Sequence, residues 1–223
     1  MRTGAIIVAA GSGRRMKGKS KVFITLGNKP LLTWSVDVCQ SCQLIDEMVV
    51  VLRKVDLERG QELAKGRGWV KLTEVCCGGK RRQDSVKEGL KRLKKCDWVV
   101  IHDGARPFLT VDLIRDGLKA AMEVGAAVAA VPVKDTIKVA DDNRLVIQTL
   151  ERRQLWAIQT PQIFRWDIIT SAYDQIVDKV TDDATLVEGL GYKVKLYIGD
   201  YSNIKITTPE DLVIAETIAG SKL

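Results

Sequence analysis

Residues 4–13 read GAIIVAAGSG: an uncharged run from Gly4 to Ala10, then Gly11 and Gly13 on either side of Ser12. A short continuous apolar run that ends in turn residues reads as a strand buried on both faces. Such a strand needs helices above and below it, which is the layering of an α/β sheet. The chain beyond keeps that rhythm. Glu47–Leu52 (EMVVVL), Val70–Val75, Trp98–Ile101, Ala126–Val133 and Lys193–Ile198 read as further strands. Helical spacing fills the stretches between them: Lys29-Pro30 to about Cys42, Asp56–Lys65, Gln83–Lys94, Val111–Val124, Trp166–Val177, Asp182–Leu190 and Pro209–Ala219. Strands that alternate with helices of about 10–15 residues predict βαβ units and a doubly wound, mainly parallel sheet. At 223 residues the chain suits a single domain, 1–223.

One segment breaks the pattern. Thr136–Ala140 and Leu145–Thr149 flank Asp141-Asp142-Asn143-Arg144, a hairpin signature. With Leu150–Trp156 they predict an arm, at about 136–156, that protrudes from the sheet. A two-stranded arm is marginal on its own in water, so a second copy of the chain is the expected support. At the other end, Thr208-Pro209-Glu210-Asp211 gives the last helix a cap, a proline in its first turn and acids near its N-terminus.

Charge and cysteine usage narrow the function. The net charge is +7, with only 5% aromatic residues and no basic tail. That balance fits a small, phosphate-rich ligand better than a nucleic acid polymer, which would need a stacking platform. No apolar stretch nears the about 20 residues of a membrane span, and no leader pattern opens the chain, so a cytoplasmic protein without membrane partners is expected. The terminal Ser221-Lys222-Leu223 matches a peroxisomal address, which chance supplies easily. The cysteine count, five, is odd, which argues against a disulfide framework. The Cys39-x-x-Cys42 pair has no second pair to complete a zinc site and falls late in a helix, so small semi-buried residues are expected there.

Glycine, arginine, lysine and aspartate gather in the loops that follow the strands, where open α/β sheets bind ligands. The first such loop, Gly11-Ser12-Gly13-Arg14-Arg15-Met16, is followed by Lys17, Lys19 and Lys21. Small residues let main-chain N–H groups approach an anion, and the cations that follow can hold phosphate oxygens. Gly13–Ser20 (GRRMKGKS) also matches the phosphate loop of nucleoside triphosphatases letter for letter. The dinucleotide fingerprint fails, because its third glycine would fall on Met16.

These loops, and motifs along the whole chain, resemble the 2-C-methyl-D-erythritol 4-phosphate cytidylyltransferase family. The resemblance rests on Val99–Pro107 (VVIHDGARP), Gly78–Val86 (GGKRRQDSV), Pro132–Thr136 (PVKDT), Leu155-Trp156, Thr160-Pro161-Gln162, Thr181-Asp182-Asp183-Ala184 and Asn203-Ile204-Lys205, in family order. It implies a Rossmann-like nucleotidyltransferase that moves CMP from CTP to the sugar-alcohol phosphate as a homodimer. It further implies that Ala9, Ala10, Gly11, Gly13 and Gly104 line the CTP site and that Gly79 and Ser85 read cytosine. By the same resemblance, Arg15, Lys21 and Lys205 act on the reacting phosphates. Asp103 serves a divalent cation, Mg²⁺ or another, or substrate hydroxyls. Arg106, Thr136, Thr160 and Thr181 line the acceptor side, and Arg152 (or Arg153 beside it) reaches the acceptor phosphate from the partner's arm. The chain departs from the family at Ser20, where proline is usual, and its loop is somewhat shorter, so Lys17 or Lys19 could share the part of Lys21. Ribitol 5-phosphate as acceptor, a nucleotide-sensing module and a phosphohydrolase stay open as alternatives. His102, the only histidine, is expected to be structural.

Overall fold

The computed structural model describes residues 1–11, 13, 20–175 and 180–221. The run at Gly4–Ala10 forms β1 (Thr3–Val8), and all its residues are buried. Its side chains alternate between two cores. Ala5 and Ile7 pack with Leu32, Val36, Ile114 and Leu118. Ile6 and Val8 pack with Val86, Leu90, Ile168 and Ile169 on the other face. A strand clothed on both faces has no polar side to alternate, which is why the sequence there is uniformly apolar.

The remaining elements follow in chain order. A hairpin of two short strands, β2 (Thr25–Leu26) and β3 (Lys29–Pro30), leads into α1 (Leu31–Ser41). Then come β4 (Glu47–Leu52), α2 (Leu57–Arg67), β5 (Leu72–Cys77), α3 (Arg82–Arg92), β6 (Trp98–Asp103), α4 (Val111–Val124) and β7 (Ala126–Pro132). The arm is β8 (Lys138–Ala140) paired with β9 (Val146–Thr149). The chain returns through β10 (Trp156–Arg165), α5 (Trp166–Asp174), α6 (Asp183–Gly189), β11 (Lys195–Ile198) and α7 (Pro209–Gly220). The sheet order is β11-β7-β10-β6-β1-β4-β5, and every pairing is parallel except those of β10 with β6 and β7. This is the doubly wound, mainly parallel α/β sheet expected from the sequence.

Three local differences have physical causes. Lys29-Pro30 closes a hairpin ahead of α1 instead of opening the helix, because Gly27 adopts φ 61 and turns the chain there. The helix read from Gln83 starts at Arg82 and is capped by Arg81 and Asp84, which exchange hydrogen bonds in a capping box. The third difference is β10, a strand with no counterpart in the sequence reading. Proline in an extended run argues against a strand. Here pairing jumps from Ile158 opposite Ala130 to Gln162 opposite Val128, so Thr160 and Pro161 lie in a bulge that needs no ladder bond from Pro161. The arm thus ends before Trp156, which already pairs with Pro132.

Candidate active site

The C-terminal ends of β1, β5 and β6 open on a cleft of about 790 Å³. Its floor is main chain and small side chains. Ala9, Ala10, Gly11, Gly78 and Gly79 line it. Gly78 has to be glycine, since a Cβ there would sit 2.5 Å from the Ala10 Cβ and 2.6 Å from Ser85 Oγ. Gly79 donates its N–H to Ser85 Oγ at 3.2 Å, and Ser85 donates to the Arg81 carbonyl. The walls are cationic: Lys21, Arg53, Lys54, Lys80, Arg81, Arg82 and Lys205 face, among the described residues, a single lining carboxylate, Asp103. Such a cleft concentrates polyanions.

Asp103 ends β6 and is buried. Its Oδ1 accepts from Arg82 Nε at 3.0 Å, and its Oδ2 lies 2.7 Å from Lys205 Nζ. Burial alone would raise this carboxyl, but Arg82 and then Lys205 outweigh it and hold Asp103 well below the usual carboxylate range. Arg82 also reaches Asp183, whose Oδ2 lies 2.8 Å from its Nη1, and Asp183 takes a further bond from the Tyr173 hydroxyl. Arg82, Asp103 and Lys205 line the first cleft and also a second one, of about 400 Å³, with Thr160, Gln162 and Thr181 on its far wall. A charged partition therefore separates two clefts that meet at one carboxylate.

The profile of the family described as IspD: 2-C-methyl-D-erythritol 4-phosphate cytidylyltransferase matches residues 3–221. The chain belongs to that family. A relative of that name from Dehalococcoides mccartyi (strain CBDB1) is 48% identical over 217 residues, which is 97% of this chain and 96% of that one. Another from Alkaliphilus metalliredigens is 45% identical and covers 97% and 92%. Among solved structures, the 4-diphosphocytidyl-2C-methyl-D-erythritol synthase of Anaerococcus prevotii superposes with a TM-score of 0.88 at 36% identity, covering 98% of this chain and 96% of that one. The 2-C-methyl-D-erythritol 4-phosphate cytidylyltransferase of Thermus thermophilus gives 0.80 at 33% identity, with 99% and 100% covered. The chain is therefore an enzyme, a cytidylyltransferase.

Within this cytidylyltransferase fold, most of the residues singled out from sequence converge. Ala9, Ala10, Gly11, Lys21, Gly79, Ser85, Asp103 and Lys205 line the first cleft, and Arg106, Thr160 and Thr181 line the second. Lys21 Nζ donates to the Ile206 carbonyl at 3.2 Å, which brings it beside the Lys205 loop. Gly104 is not part of the lining. It lies beneath, where a Cβ would press on the Ala9 Cβ at 3.0 Å, and its N–H bonds the Val8 carbonyl. Gly13 takes φ 60 and also stays outside the lining. Thr136 and Arg152 are exposed on the arm side and line neither cleft; Arg152 donates to the Lys134 carbonyl at 2.9 Å. Arg15, Lys17 and Lys19 lie outside the described residues.

Two acceptor-side residues are already engaged inside the protein. Arg106 spends Nη1 on the Asn203 carbonyl at 2.6 Å, with Nη2 near the Ile158 carbonyl. The Thr160 hydroxyl accepts from the Asp103 N–H at 3.0 Å and lies 3.1 Å from His102 Nδ1. The phosphate-loop alternative loses its context, because only a 3-10 turn at Lys21–Phe23 follows Ser20, whose hydroxyl donates to Asp56. Cys39 and Cys42 are buried and free, and burial pushes the Cys39 thiol up to about 12. Neither is a poised ligand.

Sequence reading missed Arg82 and Asp183. Both sit inside quoted motifs, but nothing local marks either one, since their meaning comes from pairing across a hundred residues of chain. No group of three or more His, Cys, Asp or Glu able to hold a metal ion occurs among the described residues. Asp103 alone, with each oxygen already bound once, fits a magnesium ion that arrives with phosphates and completes its shell from them and water. It does not fit an all-protein cage.

Proposed function

We propose that the chain transfers the cytidylyl group of CTP to 2-C-methyl-D-erythritol 4-phosphate, giving 4-diphosphocytidyl-2-C-methyl-D-erythritol and pyrophosphate, a step toward isoprenoid precursors. The observation that carries this reading is the shared partition. One strongly cationic cleft with a glycine floor, suited to a nucleoside triphosphate, meets a second cleft at Arg82, Asp103 and Lys205. Two substrates bound on either side would react across it.

The reaction forms a bond from an acceptor phosphate oxygen to the α-phosphorus of CTP and breaks the bond from that phosphorus to the β-phosphate bridging oxygen. Pyrophosphate leaves with that electron pair. A phosphate monoester has its second pKa near about 6, so at neutral pH the attacking oxygen is already anionic and no base is needed. His102 agrees, because burial pushes it down to about 4 and it is neutral and enclosed at working pH. The task left to the protein is to bring two anions together and stabilise the charge on the reacting phosphorus. Lys21 and Lys205, which line the first cleft side by side, and Arg15 supply that charge. Mg²⁺, held by Asp103 and triphosphate oxygens, would offset charge on the leaving group. Asp103 keeps Lys205 extended toward the partition, and Arg82 keeps Asp103 ionised there. Gly79 and Ser85 are the cytosine readers.

The active unit is a homodimer in the cytoplasm, with Thr136 and Arg152 of one copy completing the acceptor side of the other. Neither lines a cleft of its own chain, which supports that division. Among the described residues no helix is long and apolar enough to cross a membrane. Ribitol 5-phosphate is not favoured as acceptor, since the matching relatives carry the methylerythritol name. The test is pyrophosphate release with CTP and Mg²⁺ and either acceptor. Preference for methylerythritol 4-phosphate is expected. Preference for ribitol 5-phosphate would move the enzyme to another pathway, and release with neither would sink the transfer reading.

A further inference from the structure

His102, Thr160, Asn203 and Arg106 form a closed ring of hydrogen bonds beneath the partition. His102 Nε2 lies 2.9 Å from the Arg106 carbonyl, and Arg106 Nη1 donates to the Asn203 carbonyl at 2.6 Å. Asn203 Nδ2 donates to the Thr160 carbonyl at 2.8 Å, and the Thr160 hydroxyl returns to His102 Nδ1 at 3.1 Å. The proton order follows from the partners. A carbonyl only accepts, so Nε2 carries the ring proton, and the neutral imidazole then accepts the Thr160 O–H at Nδ1; these positions are assigned from the network. His102 and Asn203 are fully buried, and Thr160 is nearly so.

The ring joins three segments far apart in sequence: the end of β6, the bulge of β10 and the loop after β11. Each leads directly to the chemistry. Thr160 Oγ1 accepts the Asp103 N–H, Arg106 and Asp103 share one turn, and Asn203 is two residues from Lys205, which pairs with Asp103. We infer that His102 is a positioning residue for cytidylyl transfer, acting through this ring to hold Lys205 and Asp103 in register. It touches no substrate. Misplacing a reacting group by about 1 Å can cost on the order of 100-fold in rate, so a brace at this point acts on turnover as well as on folding. The inference rests on the proposed transfer reaction.

The experiment compares His102→Leu and His102→Gln in the wild type and in a Lys205→Ala background, reading kcat, KM for CTP and thermal midpoint. In the wild-type background His102→Leu should lower kcat by roughly 30-fold with KM for CTP within about 3-fold, and Gln, which keeps the Nε2 donor, should recover part of it. In Lys205→Ala the same change should cost less than about 3-fold, because the group being positioned is gone. Equal losses in both backgrounds, or a lower midpoint with unchanged kcat, would overturn the inference. Thr160→Val, close to threonine in volume, cuts the same ring if His102→Leu does not fold. Amide exchange over residues 199–206 reads the brace without turnover: faster exchange in either variant is expected, and unchanged exchange also overturns it. Wild type without pyrophosphate release would sink the transfer reading, while the exchange result would still decide on the brace.

Discussion

At the residue scale the chemistry turns on how few groups face both clefts. Asp103 and Lys205 were legible because their motifs are distinctive, and Gly11 and Gly79 because loops after strands offer backbone to a ligand, whereas Gly13 and Gly104 line neither cleft. Arg82 was not legible: the stretch Lys80-Arg81-Arg82 offers three adjacent cations, and only the fold shows that Arg81 caps a helix while Arg82 is the one held between Asp103 and Asp183. The solitary histidine was legible as structural, yet its Thr160 partner was not, since it lies 58 residues away. Its burial has a consequence for stability. The folded value, about 4, lies below the ordinary 6.5, so between those limits the unfolded chain binds more protons than the folded one. Stability therefore rises with pH across that window and is lost as pH falls from about 6.5 toward 4, by on the order of 2–3 kcal/mol. Urea unfolding of wild type at pH 7.5 and pH 5 should show this loss, and His102→Gln, with nothing to titrate there, should be nearly flat. The same slope in both proteins would assign the effect to other groups. Asp103, Asp84 and Asp211, all depressed, hold their contributions until lower pH.

At the element scale the central strands β1 and β4 were legible because a strand buried on two faces writes a nearly uninterrupted apolar run. The cap of α7 was equally plain, and Thr208 and Asp211 do exchange hydrogen bonds in a capping box. β10 was hidden because Pro161 sits inside it and because Gln159, Thr160 and Gln162 are buried polar side chains with internal partners, which breaks the apolar pattern. Sequence also fails to show how closely elements approach. Gly89, inside α3, lies against β1 so tightly that a Cβ would stand 2.6 Å from Ile6 Cγ2 and 3.2 Å from Val51 Cγ2. In an open helix Gly→Ala gains roughly 1 kcal/mol. Here overpacking of a fully buried strand costs about 1–3 kcal/mol, so Gly89→Ala should be destabilising overall. A lower urea midpoint with an unchanged m-value is the expected result, and a stabilised variant would show that α3 can lift off the sheet at little cost.

At the scale of the whole molecule, the arm is the part the core does not explain. Both strands, β8 and β9, are exposed along their whole length, and Leu145, Val146 and Ile147 stand 61–67% exposed in a row. A lone leucine on a surface is ordinary, but an apolar run on an unsupported hairpin is the pattern of an interface. The acceptor residues assigned to this region, Thr136 and Arg152, belong to the same projection, so dimerisation and acceptor binding should fail together. Leu145→Asp combined with Ile147→Asp places two charges on the arm without touching either cleft of its own chain. Burying them against a partner would cost several kcal/mol, more than a modest dimer can absorb. Sedimentation should give a dimer for wild type and a monomer for the double variant at the same concentration. KM for methylerythritol 4-phosphate should rise by at least about 10-fold, with KM for CTP and the thermal midpoint little changed. A monomeric variant with unchanged acceptor kinetics would separate the arm from the active site and return Thr136 and Arg152 to the surface. A variant that stays dimeric would put the interface elsewhere on the fold.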